Sequence, residues 1–212
     1  MNGMIPPSPL VPRLSHANYW VQRLQDQPLS YPGLYGSLTP QHIPTGYNVD
    51  RYELCLGTGA ATFQRAKQAI RDWQMFPSGW TRILPQPVPI ASGEMVTVNF
   101  RLLGLWWTCV CRIVQAIDTP QQFGFAYGTL AQHVERGEEL FQVEWRDNDE
   151  VWYHILAFSR PQWWPVWLAY PYARLKQRQF GRQSCASMLR ATQGADPGSQ
   201  LDTFAARHHV QL

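Results

Sequence analysis

The chain has 212 residues, of which 45% are hydrophobic and 16% are charged. This composition excludes wholesale disorder and supplies enough apolar side chains for one domain with a buried core. The net charge of +3 is too small to indicate nucleic-acid binding by itself. The ten tryptophans and 17 prolines are many for this length, so they need a structural explanation.

The proline distribution predicts three parts of the chain. Eight of the 17 prolines lie within residues 1–45, which predicts an extended arm on the domain surface with one short helix near residues 16–25. Residues 46–190 are the predicted folded domain. The polar residues 191–212 are predicted to form a loose tail, with a weak helix near residues 201–207.

The four cysteines, Cys55, Cys109, Cys111 and Cys185, form no CxxC pair and no zinc-binding spacing. Reduced thiols are therefore expected, and we predict a cytoplasmic protein. Cys109 and Cys111 share one strand face, where buried thiols are expected and Cys55 is a candidate neighbour. No secretory signal and no transmembrane helix is predicted.

The folded domain begins with one strand and one helix. Residues 49–56 have the pattern of a strand that stops at Gly57-Thr58-Gly59, where a tight turn is favoured over a phosphate-binding loop. The apolar residues of 60–75 recur at helical spacing, which predicts an amphipathic helix. A short strand is predicted at 80–84, before a proline-rich loop.

Beyond residue 94 the hydrophobic period changes from that of a helix to that of a strand. Alternating segments follow at residues 94–102, 106–117, 123–130, 139–146 and 151–160. The Asn148-Asp149 pair between the last two is a hairpin signal. Segments spaced this closely predict an antiparallel meander.

After Pro161 the period returns to that of a helix, which we predict over residues 164–190 with a kink or restart at Pro171. Four apolar residues are expected to face inward: Leu168, Tyr172, Leu175 and Leu189. A strongly bent antiparallel sheet of six or seven strands that wraps this helix is a helix-grip fold, of the α+β class, and leaves a cavity between sheet and helix. The alternative is an antiparallel barrel with peripheral helices.

A specific set of residues within 29–183 carries a family resemblance. They are Gly46-Tyr47-Asn48-Val49-Asp50, Leu56-Gly57-Thr58-Gly59, Phe63, Ala66, Cys111-Arg112-Ile113-Val114, Phe125-Ala126-Tyr127-Gly128-Thr129-Leu130, His133, Glu135, Gly137-Glu138-Glu139, Phe141, Ala157-Phe158-Ser159-Arg160-Pro161, Pro171, Arg174 and Gln177. These stretches resemble the family catalogued as domain of unknown function 1990, found in bacteria and plants. The resemblance implies the helix-grip fold of START proteins and the birch pollen allergen, a group that commonly holds hydrophobic ligands and includes some cyclases and hydrolases.

The segment of residues 127–139 gathers the side chains best suited to acid/base chemistry. It contains Tyr127, His133, Glu135, Glu138 and Glu139. An imidazole tuned by a carboxylate titrates near neutral pH, so His133, Glu135 and Tyr127 are the candidate catalytic residues. The structural alternative is that the carboxylates cap a turn and pair with Arg112 or Arg160. The His-x-Glu spacing lacks a defined third ligand, so no metal is predicted.

A cavity-facing arginine would hold the carboxylate or phosphate of a ligand. The candidate ligand-binding residues are Arg112, Tyr127, Glu138, Arg160, Trp80 and Trp107. Alternatively, the charged segments neutralise each other, because residues 135–150 carry seven acids and two arginines whereas residues 151–195 carry six basic residues and no acid.

A cluster of aromatic residues precedes a basic run near the C-terminus. Trp163, Trp164 and Trp167 stand before Arg174, Lys176, Arg178 and Arg182. This mixture suits an anionic bilayer surface, although packing of the C-terminal helix on the sheet is the favoured explanation. No RNA-binding motif accompanies it, so no nucleic-acid partner is predicted.

Three functions therefore stand as hypotheses. The first is binding of a hydrophobic small molecule, such as a lipid, an isoprenoid or an aromatic compound, in the cavity. The second is an enzyme that acts on a hydrophobic substrate by acid/base chemistry at residues 127–139. The third is a peripheral membrane or interaction protein. The sequence contains no GxSxG, P-loop or HExxH motif, and no cofactor is predicted.

Overall fold

A computed structural model describes residues 3–193 of the chain. The strands are β1 (Asn48–Thr58), β2 (Thr81–Leu84), β3 (Met95–Leu102), β4 (Leu105–Asp118), β5 (Gln122–Thr129), β6 (Glu135–Trp145) and β7 (Glu150–Pro161). The α-helices are α1 (Leu14–Leu24), α2 (Gly59–Arg71), α3 (Trp164–Leu168) and α4 (Tyr170–Gln193). The predicted C-terminal helix is thus two helices, and the predicted helix at residues 201–207 lies outside the described residues.

The seven strands form one antiparallel sheet in the order β1-β7-β6-β5-β4-β3-β2. Strands β2 to β7 are a meander, and α2 carries the chain from edge strand β1 to the opposite edge. Register shifts at Cys55/Gly57 and Ile113/Gln115 mark bulges, which bend a strand and increase its twist. The helix-grip prediction is confirmed, whereas the alternative of a barrel does not hold because β1 and β2 remain at the edges.

The inner face of the sheet carries the main core. Phe63 and Ile70 of α2 and Met188 of α4 pack with Phe125 and Phe141 of the sheet, and all five side chains are fully buried. Strand side chains alternate between faces, so the pattern of period 2 supplies this core with every second residue. The same alternation leaves smaller apolar clusters on the outer face, which include Val110, Val114, Ala126 and Leu130.

The N-terminal arm covers that outer face. Ile5 and Leu24 of the arm are buried against Val110 and Leu130 of the sheet. The arm also forms isolated bridges to the sheet, at Ser8 with Trp106 and at Leu29 with Leu130. Residues before β1 therefore provide the second layer that a sheet with two apolar faces requires.

The cysteines lie farther apart than the sequence indicated. Cys109 and Cys111 are buried on β4, but Cys55 lies on β1, and β7, β6 and β5 separate those two strands. The expectation that Cys55 neighbours the pair is wrong because β1 joins the sheet through β7. Burial raises the pKa of the Cys109 thiol to about 12, which leaves it protonated and unreactive at neutral pH.

Glu138 anchors the arm to the sheet. Its carboxylate accepts hydrogen bonds from the Tyr31 hydroxyl at 2.6 Å and from the backbone N–H groups of Tyr35 and Ser37 at 3.0 Å each, and it also bonds the Ser37 hydroxyl. The Tyr31 ring lies over Gly128, where a Cβ would come within 2.3 Å of the Tyr31 oxygen. Glu138, a predicted ligand-binding residue, thus directs its carboxylate to the arm.

We predict that Glu138→Ala lowers the free energy of unfolding by about 3 kcal/mol, because it leaves several buried donors without an acceptor. Urea unfolding measures this loss, and limited proteolysis should show faster cleavage within the arm. Glu94→Ala is the matched control because Glu94 is exposed in the turn before β3. Equal stability and equal cleavage for the two variants would contradict the anchoring role.

Candidate functional site

A cavity of about 280 Å³ separates the inner face of the sheet from the first half of α4. Its walls are mainly aromatic and aliphatic: Phe76, Trp80, Val98, Phe100, Leu102, Trp107, Ile155 and Phe180. Ligand sites in proteins are commonly concave, apolar spaces that contain a few placed polar groups. The cavity predicted between sheet and helix is therefore present.

Helix α4 has two halves with different surroundings. The residues that line the cavity in the first half recur at helical spacing: Tyr172, Ala173, Lys176, Gln177, Phe180 and Gly181. At Gly181 the helix approaches the sheet so closely that a Cβ would lie 2.3 Å from the Tyr52 ring. Beyond this contact, Cys185 and Met188 are buried in the core.

The inward positions predicted for this helix were partly wrong. Tyr172 lines the cavity and Leu189 packs against the core, but Leu168 and Leu175 are 76% and 57% exposed. The inward stripe contains Ala173, Lys176 and Gln177 rather than leucines, because this half of the helix covers a cavity instead of filling a core. Predicting the inward positions from hydrophobicity alone therefore placed Leu168 and Leu175 on the wrong face.

The polar side of the cavity is formed by carboxyl groups of β6. Glu135, Gly137 and Glu139 alternate along the strand and so share the inner face. Glu139 lies opposite Tyr127 of β5, whose hydroxyl donates a 2.6 Å hydrogen bond to Glu139 Oε2. Gly137 has no side chain, and a Cβ there would lie 1.9 Å from the Phe158 carbonyl oxygen. We call Glu135 and Glu139 the acidic pole of the cavity.

The electrostatics of Glu139 are set by its enclosure. Burial raises the pKa of this carboxyl to about 7, and the hydrogen bond from Tyr127 opposes the rise only in part. Among the described residues no lysine or arginine pairs with it. Burial, followed by the charge of Glu139, raises the pKa of Tyr127 well above its usual value, so the phenol remains a donor.

A hydrogen-bonded chain connects Glu135 to α4 and β1. Gln177 Nε2 lies 2.7 and 2.6 Å from the two Glu135 oxygens. Arg174 donates to the Gln177 amide oxygen and to both oxygens of Asp50, at 2.5 and 2.7 Å. Burial raises the pKa of Glu135, and its bonds from Gln177 and Ser159 oppose that rise.

His133 lines the cavity, but its imidazole does not titrate near neutral pH as the sequence predicted. Its Nδ1 accepts a 3.0 Å hydrogen bond from the backbone N–H of Glu135, which assigns the ring proton to Nε2. Burial lowers the pKa of His133 to about 4, so the ring is neutral at physiological pH. The Trp163 indole donates to the His133 carbonyl at 2.9 Å and fixes the loop. Glu139, not His133, is therefore the group that titrates near neutrality.

The two predicted arginines lie away from the cavity. Arg112 donates to the carbonyl groups of Gln25 and Gln27 in the arm. Arg160 lies over the Tyr47 ring, 4.8 Å from its centroid. The expectation that Arg112 or Arg160 pairs with the acidic segment is wrong, because among the described residues neither arginine forms an ion pair. The expected neutralisation between segments is likewise not formed by direct ion pairs, since within residues 3–193 no Lys or Arg of residues 151–193 pairs with residues 135–150.

The tryptophans lie in three different surroundings: the core, the cavity wall and the exposed surface. Trp73 is buried in the core, whereas Trp80 and Trp107, two of the candidate ligand-binding residues, line the cavity. Trp164 and Trp167 of α3 are 73% and 56% exposed. The predicted membrane-facing surface stays a prediction, and within residues 3–193 no helix has the length and hydropathy to cross a bilayer.

The sequence did not predict a role at the cavity for Asp50, Ser159, Arg174 or Gln177. Asp50 and Ser159 lie on strands β1 and β7, and α4 brings the other two side chains to them. Each lies in a stretch that carried the family resemblance. The three-residue spacing of Arg174 and Gln177 on one helix face was the available signal.

The bent antiparallel sheet and the cavity between it and α4 are those of a helix-grip protein. Residues 32–187 match the family model described as "Domain of unknown function (DUF1990)", and the chain belongs to this family. It is 34% identical over 202 residues to a UPF0548 protein of Dictyostelium discoideum, covering 85% of this chain and 93% of the relative. A UPF0548 protein of Deinococcus radiodurans is 30% identical over 172 residues, with coverages of 72% and 87%.

Solved structures with similarity to the chain include human STARD10 and Ara h 8.0201. STARD10 gives a TM-score of 0.43 at 8% identity, over 85% of this chain and 81% of that one. Ara h 8.0201 gives a TM-score of 0.42 at 12% identity, over 68% and 99% of the two chains. Likeness at this level carries no information about a ligand.

Glu139 makes stability depend on pH. Folding raises the pKa of this carboxyl from 4.5 to about 7, so between these pH values folded chains hold a proton that unfolded chains have lost. The contribution of Glu139 to stability therefore falls across that window, by about 3 kcal/mol in all. Glu139→Gln lacks the titration, so its free energy of unfolding should rise relative to wild type by that amount.

Urea unfolding of both proteins from about pH 4.5 to about pH 8 measures this change. Groups common to the two proteins, such as Glu135 and His133, cancel in the difference. Glu94→Gln removes an exposed carboxyl and should show a difference from wild type that is constant with pH. A constant difference for Glu139→Gln as well would contradict the raised pKa of Glu139.

Proposed function

We infer that this protein binds a hydrophobic small molecule in the cavity between the sheet and α4. The observation that carries this function is an apolar space of about 280 Å³ that the protein's own side chains leave unfilled. Protein interiors are otherwise close-packed, whereas the side chains that line an apolar pocket lack part of the packing contacts of a core. A bound apolar molecule restores those contacts.

The dimensions and walls of the cavity favour one small ligand. Its volume lies at the lower limit of ordinary ligand pockets, which span roughly 300–1,000 Å³. Phe76, Phe100 and Trp107 provide flat apolar surfaces, and the acidic pole provides orientation. A single alkyl or isoprenoid chain, or a compact aromatic compound, fits this description.

A second candidate function is proton transfer on a ligand held in the same cavity. The observation that favours it is Glu139, whose pKa of about 7 suits a general base at neutral pH, next to the Tyr127 hydroxyl. In that case Glu139→Gln binds the ligand normally but no longer converts it. Mass spectrometry of the ligand after incubation with each protein distinguishes conversion from simple binding.

The binding function predicts that protein purified gently carries a stoichiometric hydrophobic molecule, detectable by native mass spectrometry and identifiable after solvent extraction. Ala173→Phe should reduce ligand occupancy at least tenfold, because Ala173 lies on the cavity face of α4 and a benzyl group would fill the space. Folding should be retained, since the added group replaces empty volume rather than packed atoms.

Leu175→Phe is the matched control. It places the same aromatic side chain at a position of α4 that is 57% exposed, and it should leave occupancy unchanged. Equal occupancy in the two variants would place the ligand elsewhere. A folded protein that takes up no hydrophobic molecule at any concentration tested would reject the binding function.

A further inference from the structure

We propose that the cavity selects an amphiphile whose polar head donates hydrogen bonds, an alcohol or a primary amine, and disfavours a carboxylate. This inference rests on the proposed function of the cavity and adds the chemical class of the ligand. It reverses the ligand chemistry that the arginines suggested in the sequence, because the acidic pole that reaches the cavity consists of two hydrogen-bond acceptors, Glu135 and Glu139.

The acidic pole has unused capacity to accept hydrogen bonds. An ionised carboxylate offers about four lone-pair sites. Among the described residues Glu139 accepts only one hydrogen bond, from Tyr127 to Oε2, and its second oxygen has no donor. The two oxygens of Glu135 share the amide nitrogen Gln177 Nε2, and Ser159 is a second donor to this carboxyl. An acceptor that faces an apolar cavity without a protein donor depends on solvent or a ligand for its hydrogen bonds, so a ligand that brings a donor satisfies it.

Cations near the cavity are already engaged. Arg174 is held by Asp50 and Gln177. Lys176 lines the cavity, but its ammonium lies 5.6 Å from the Trp80 ring centroid and donates to Gln179 at 2.9 Å. His133 is neutral because burial lowers its pKa to about 4.

A carboxylate head at the acidic pole would therefore meet two carboxyl groups. Like charges in a low-dielectric space repel, and one of the three groups would have to take up a proton. An ammonium head would instead gain ion pairs, and a hydroxyl head would gain one hydrogen bond to Glu139. The hydrocarbon part of the ligand extends along the aromatic walls, where Phe76, Phe100 and Trp107 lie.

Four probes of similar size isolate the head group: octan-1-ol, octan-1-amine, 1-methoxyheptane and octanoate. The ether has as many heavy atoms as the alcohol but cannot donate. Isothermal titration calorimetry at about pH 8, where Glu139 is mostly ionised, compares the four with wild-type protein. We expect the alcohol to bind several-fold more tightly than the ether, the amine at least tenfold more tightly, and octanoate most weakly.

Glu139→Gln tests the assignment to a residue. The amide oxygen still accepts from a hydroxyl, so octan-1-ol binding should change little, whereas the advantage of octan-1-amine over the ether should fall at least fivefold. Glu94→Gln makes the same change of charge at an exposed position and should leave the order of the four probes unaltered. The order of the four probe affinities is measured on the wild-type protein, so it tests the inference even if a variant fails to fold.

Three results would overturn the inference, and they are distinguishable. Equal affinities for all four probes would confirm the cavity as a binding site but remove the head-group selection. Octanoate binding as tight as that of the amine would assign the head group to Lys176 instead. Failure of all four probes to bind would remove the proposed function itself, and the inference with it.

Discussion

The ion pair between Arg174 and Asp50 is the constraint on which the cavity depends. Its two hydrogen bonds, at 2.5 and 2.7 Å, tie the first half of α4 to edge strand β1. Both side chains are largely shielded from solvent, so losing one partner would strand a charge. Gly181 brings the second half of α4 into contact with Tyr52. Helix α4 is thus held against the sheet at Arg174 and at Gly181. A space between the first half of the helix and the sheet therefore remains open.

Alternation along β6 divides the acidic residues between two tasks. Glu138 points to the outer face, where its carboxylate receives four donors from the N-terminal arm. Glu135 and Glu139 point to the inner face, where donors are few. The same residue type is therefore a structural anchor on one side of the strand and a cavity-facing group on the other.

Much of the fold could be predicted from the sequence, because the period of 2 in residues 94–160 and the period of 3.6 around them are local properties. The sequence also proposed residues 127–139 as the candidate segment for acid/base chemistry, and the structure brings Tyr127 and Glu139 of that segment together at the cavity, while their chemical role stays a prediction. The roles of Arg112 and Arg160 could not be predicted, since they depend on the arm and Tyr47 on the outer face. Asp50 and Arg174 are 124 residues apart and meet only through the tertiary fold.

The central claim is that a hydrophobic ligand occupies the inner cavity with its polar head at the acidic pole. A crystal structure of the protein grown with octan-1-ol tests it most directly. We expect density for one alkyl chain along Phe76, Phe100 and Trp107, with the hydroxyl within hydrogen-bond distance of Glu139. Density on the protein surface alone, or in the cavity with the hydroxyl at Lys176, would contradict it.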